Sequence, residues 1–125
     1  MNSLSVDPVV TDSFWIEPAL KDGTLSVKLT GRGDMAAATP LKAYVKALEA
    51  EVPRLSVGTV EFDVRGLGFM SSSCLKAFIG LICGLVGHGL KCRIRFVTDP
   101  SLTWQRRSLK PLDRMCPELV SIADG

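Results

Sequence analysis

Residues 60–82 read VEFDVRGLGFMSSSCLKAFIGLI, and the change of pattern inside them decides the fold. The stretch 59–65, TVEFDVR, alternates: Val60, Phe62 and Val64 fall on one side, Glu61, Asp63 and Arg65 on the other. A period of two marks a strand with one buried and one wet face. Further on, Leu75, Phe78, Ile79, Ile82, Leu85 and Val86 recur at helical spacing, which predicts a helix over 73–86 that stops at Gly-His-Gly, 87–89. Ser71, Ser72 and Ser73 stand at the junction. A strand entering a helix through a short polar junction is half of a parallel crossover unit.

The same grammar extends both ways. Upstream, 13–20 (SFWIEPAL) reads as a strand, Lys21-Asp22-Gly23 as a turn, and 24–30 (TLSVKLT) as a second strand with Leu25, Val27 and Leu29 inward, ended by Gly-Arg-Gly-Asp at 31–34. Apolar residues at 41, 44, 45, 48 and 52 form one face of a helix over 39–52, with Pro40 in its first turn and Pro53 as its stop. Downstream, 91–97 (KCRIRFV) is a strand with Cys92, Ile94 and Phe96 inward and Arg93 and Arg95 outward. Residues 101–115 are helical, with Pro111 restricting the helix to its start or opening a second short turn, and 118–123 form a short last strand. Residues 1–12 read as a loose lead-in and 13–125 as a single domain.

A sheet covered on both faces is built of near-continuous apolar strands. Three strands here alternate instead. The expected architecture is therefore an α/β fold with a mixed four- to five-stranded sheet and helices mainly on one face. Lys28, Glu61, Asp63, Arg93 and Arg95 should line the other face.

Composition narrows the function. The 125 residues are 46% hydrophobic and 22% charged, enough to pack one core and stay in solution. A net charge of +2 gives little attraction for nucleic acid, so no direct nucleic-acid binding is expected. No apolar run approaches the roughly 20 residues that span a bilayer, and MNSLSVDPVV lacks the features of a secretion signal; no membrane association and a cytoplasmic location are expected. Cys74, Cys83, Cys92 and Cys116 form no C-x-x-C pair and His88 is the one histidine, so neither metal nor cofactor is expected. A small hydrolase or transferase using Ser72 or Cys74 is the enzymatic alternative, but the pattern places no base near either. Around the second helix's core stripe the remaining positions are Lys76, Ala77, Gly80, Leu81, Cys83 and Gly84, a single lysine among small and apolar residues where a solvated face normally carries charge; they form either a partner surface around Lys76, Gly80, Cys83 and Gly84 or a tight contact with a neighbouring helix. The Trp104–Lys110 stretch is a solvated basic face or a contact for an acidic partner.

The junction and the strand before it resemble the signature of STAS domains, the anti-sigma factor antagonist family. Asp63 matches the strand aspartate, Phe69 and Met70 an apolar pair, Ser72 and Ser73 a serine pair, and Leu75 the leucine after it. Gly31 and Asp34 match the Gly-x-x-Asp loop upstream. Ser71, Cys74 and Lys76 stand where the family has aspartate, glycine and glycine. The resemblance implies a non-catalytic regulatory module that acts by protein–protein contact. It implies that Ser72 is phosphorylated by a partner kinase, itself the anti-sigma factor, and dephosphorylated by a phosphatase. The alternative is a STAS-like adaptor or homodimer without phosphorylation, its serines serving only to cap the helix. Any of the three hydroxyls can accept a free backbone N–H there, a bond worth about 1 kcal/mol.

Overall fold

The computed structural model describes residues 9–11, 13–89 and 92–125. Its elements run β1 (Val9–Val10), β2 (Phe14–Lys21), β3 (Thr24–Gly33), α1 (Met35–Arg54), β4 (Thr59–Met70), α2 (Ser72–Gly87), β5 (Arg93–Thr98), α3 (Thr103–Met115) and β6 (Val120–Asp124). The six strands lie side by side in chain order. The first two junctions are antiparallel and the last three parallel. Asp22 and Gly23 close the β2–β3 hairpin with φ of 52° and 78°, the twist that a two-residue turn between right-twisted strands demands.

This order explains the layering. Parallel crossovers take one hand, and the strand order never reverses, so α1, α2 and α3 all fall on one face. Beneath them Phe62 of β4, Phe96 of β5 and Phe78 of α2 meet with ring centroids 5.0–5.5 Å apart. The opposite face carries Lys28, Glu61, Asp63, Arg93 and Arg95, as the alternation requires. Arg95 and Glu61 are register partners and pair at 3.3 Å. Arg65 grips Asp63 with two side-chain bonds of 2.9 and 2.8 Å and holds that carboxyl below its ordinary range.

Several boundaries differ from expectation. The sheet has six strands because Val9 and Val10, inside the expected lead-in, pair with β2; residues 1–8 and 12 of that lead-in lie outside the described residues, as does Lys91 at the expected start of β5. β3 continues to Gly33 and β4 to Met70, because Gly31-Arg32-Gly33 pairs with 67–70 beyond one register irregularity at 28–30 and across a second between Gly31 and Arg32. α1 begins at Met35, so Pro40 is its sixth residue rather than part of its first turn. Pro40 deprives only the Ala36 carbonyl of a partner, and Ala36 is exposed. α3 likewise runs through Pro111, above exposed Arg107.

Fully buried Gln105 ties the helical layer to the sheet. Its Nε2 donates to the Val64 and Leu67 carbonyls at 2.7 and 3.0 Å, where β4 passes Arg65 and Gly66. Its Oε1 accepts from the Asp99 N–H at 2.8 Å.

Candidate functional site

Parallel β3 and β4 deliver the starts of α1 and α2 to the same edge of the molecule. The Asp34 carboxylate caps α1 by accepting the Ala37 N–H at 3.0 Å. The Ser71 hydroxyl caps α2 by accepting the Cys74 N–H at 3.3 Å. Two bonds lock these caps together. The Ser71 N–H donates to the Gly33 carbonyl at 2.6 Å, and the Cys74 thiol donates to the same oxygen at 3.3 Å. A Cβ on Gly33 would lie 3.0 Å from the Phe69 carbonyl, so the strand ends meet nearly backbone to backbone. Gly31 is needed for a different reason: its φ is 105°, and a side chain would run into the Ser13 carbonyl.

Each of the three serines has a distinct place. Ser71, where the family signature has aspartate, does the capping, which either residue type can do. Ser73 is half-buried and turned toward α1, beside Lys42 and Lys76. Ser72 is exposed on the first residue of α2, its hydroxyl not needed for the cap. Ser71→Ala is accordingly expected to lower stability by about 1 kcal/mol in urea unfolding, and Ser72→Ala by less than about 0.5 kcal/mol. The reverse order would move the cap to Ser72.

The core face of α2 is rotated from the expected stripe. Cys74, Ala77 and Leu81 join Phe78, Ile82 and Leu85 in the core, whereas Leu75 and Ile79 are half-buried and Val86 is half-exposed. Of the four residues singled out as a partner surface, Lys76, Gly80 and Cys83 are exposed. Gly84 is not part of that face: it lies against the Glu49 carboxylate of α1, where a Cβ would collide. The tight helix contact therefore applies to Gly84. Gly84 lets the helices close; Gly80 has open space where its Cβ would be.

The catalytic options are poor in geometry. Cys74 is buried and its thiol is bonded to a carbonyl. His88 is the C-cap of α2, about 24 Å along the helix from Ser72, and sits 3.9 Å from Glu49. Among the described residues no cluster of His, Cys, Asp or Glu has the arrangement of a metal site. No described helix is long and apolar enough to cross a membrane. Much of the basic stretch from Trp104 to Lys110 is committed internally: Arg106 pairs with Asp124 at 3.1 Å, Lys110 with Asp113 at 3.6 Å, and Trp104 packs against the core. Lys42 and Lys46, outside the expected site residues, face Lys76 across the α1–α2 groove; their four-residue spacing puts them on one face of α1.

No family model and no curated relative matches this sequence. Solved structures do. An anti-sigma factor antagonist from Mycobacterium paratuberculosis superposes with a TM-score of 0.67 at 21% identity, over 91% of this chain and 88% of that one. The unphosphorylated form of the anti-sigma factor antagonist SpoIIAA gives 0.61 at 18% identity, over 86% of this chain and 87% of that one. The phosphorylated form of SpoIIAA, a Bacillus cell fate determinant, gives 0.59 at 18% identity, over 86% and 90%. The fold is thus the STAS-like fold of the anti-sigma factor antagonists.

Proposed function

We propose that this chain is a non-catalytic regulatory module that works in the cytoplasm by binding a protein partner, and that phosphorylation of Ser72 switches the binding. The observation that carries the reading is the division of labour at the start of α2. Ser71 holds the cap, so Ser72 is free to present its hydroxyl to another protein. A phosphate there adds nearly two negative charges beside the positive end of a helix, which the fold accommodates. A partner docked over exposed Lys76, Gly80 and Cys83 would have to desolvate that dianion, so modification releases it. The likeness to a protein solved in both unphosphorylated and phosphorylated forms supports the same reading. The partner class is an anti-sigma factor serine kinase, opposed by a phosphatase.

Phosphopeptide mapping of the protein from its own cells tests the proposal. Phosphate is expected on Ser72 and is lost in Ser72→Ala, while Ser72→Asp binds the kinase at least several-fold more weakly than the wild type. Phosphate on Ser71 or Ser73 alone, or Ser72→Asp binding as the wild type does, overturns it. An unmodified chain that self-associates would instead be the adaptor or homodimer.

A further inference from the structure

Lys42 and Lys46, one turn apart on α1, face Lys76 of α2 across a floor of Val45, Ala77 and Leu81. This part of the groove has a volume of about 150 Å³. It continues toward the helix starts as a second depression of about 250 Å³, where Thr39 and Ser73 join Lys42 and Lys76. On the α2 side the wall is cut away at Gly80, where a Cβ would meet nothing within 4 Å. None of these lysines forms an ion pair with a described residue. The one carboxylate lining this part of the groove, Glu49, lies beside His88.

We propose that the α1–α2 groove binds an acidic amphipathic helix of a protein partner. The floor is apolar and asks for apolar side chains. Its rims carry unneutralised cations on both sides and ask for carboxylates. A groove between two packed helices accepts a third helix along it. From Ala38 to Glu49 the groove follows α1 for about 17 Å, the length of three helical turns. A membrane surface is flat and does not reach a concave floor, and a chain of net charge +2 has little general attraction for nucleic acid. Ser72 lies one turn before Lys76, so a phosphate there competes with the partner's carboxylates for that lysine. The inference rests on the reading of the chain as a protein-binding module, but not on which serine is modified.

The test follows amide shifts of the nitrogen-labelled full chain as a helical peptide of about 14 residues is added, with glutamates on one face and leucine and alanine on the other. Saturable shifts are expected at Ala77, Gly80 and Leu81. Affinity should fall about tenfold in the Lys42→Gln/Lys46→Gln/Lys76→Gln variant, which changes only exposed side chains. A peptide with lysine in place of glutamate should not bind. No saturable shift at millimolar peptide, or equal affinity in the triple variant, overturns the assignment. So does tighter competition by phosphatidylglycerol vesicles or by an oligothymidylate, which would make the groove a lipid or nucleic-acid site. A groove that fails here in a chain phosphorylated on Ser72 in its own cells removes the acidic helix and leaves the regulatory reading intact.

Discussion

Phe62→Ala is expected to destabilise the protein by about 3–5 kcal/mol, a large share of a small domain's total. Phe62 is wholly buried at the centre of the sheet, edge-on to Phe78 and stacked on Phe96. Its truncation removes apolar contact from β4, β5 and α2 together and leaves a cavity that rigid strands cannot close. Urea unfolding measures the loss. Lys28→Ala, on the open face, should change stability by no more than about 0.5 kcal/mol. Similar losses at both positions would contradict a sheet covered on one side.

Gln105→Ala is expected to cost about 3 kcal/mol, more than its size suggests. The substitution strands the Val64 and Leu67 carbonyls and the Asp99 N–H, all three served by one buried amide. Gln105→Glu separates hydrogen bonding from volume. Its protonated form can still donate to one carbonyl, whereas the carboxylate would face two carbonyl oxygens. The folded-state pKa is therefore raised above the unfolded value of about 4.3. The deficit against wild type should be smallest below that pH and should grow as pH rises toward the folded pKa. A pH-independent deficit would show that Gln105 acts only by filling space.

Much of this architecture was legible from the strands. Alternation in β3, β4 and β5 identified which side chains enter the core and which face water, because one-sided burial leaves its imprint at every second residue. The helices were less transparent. α2 is apolar around most of its circumference, so spacing alone does not set its rotation. Small Cys74 and Ala77 face the core because they let the helix lie close, while Leu75 and Ile79 reach inward from its flanks. Element ends were hidden for another reason. Gly-Arg-Gly-Asp at 31–34 reads as the end of a strand, yet Gly33 runs close to the Phe69 carbonyl and Gly66 close to the Leu29 carbonyl, so that two irregular parallel strands come together beyond it. The junction motif located the exposed serine, but the identity of the cap depended on a single hydrogen bond from Cys74. The lysine-lined groove was illegible because it belongs to two helices some thirty residues apart.

The strictly consecutive strand order has a consequence for how the chain reaches this state. Every strand pairs with its neighbours in sequence, so none has to be inserted between two already joined. The β2–β3 hairpin closes over a two-residue turn, at little entropic cost. Each later crossover then adds one helix and one strand to the growing edge. Each parallel pairing joins residues roughly 25–35 apart and so forms more slowly than the hairpin, but the order allows the sheet to extend from its amino-terminal hairpin while the carboxyl-terminal part is still being synthesised. The start of α2, with its exposed serine, is bonded to the end of β3 through the Gly33 carbonyl, so its cap asks nothing of β5, α3 or β6.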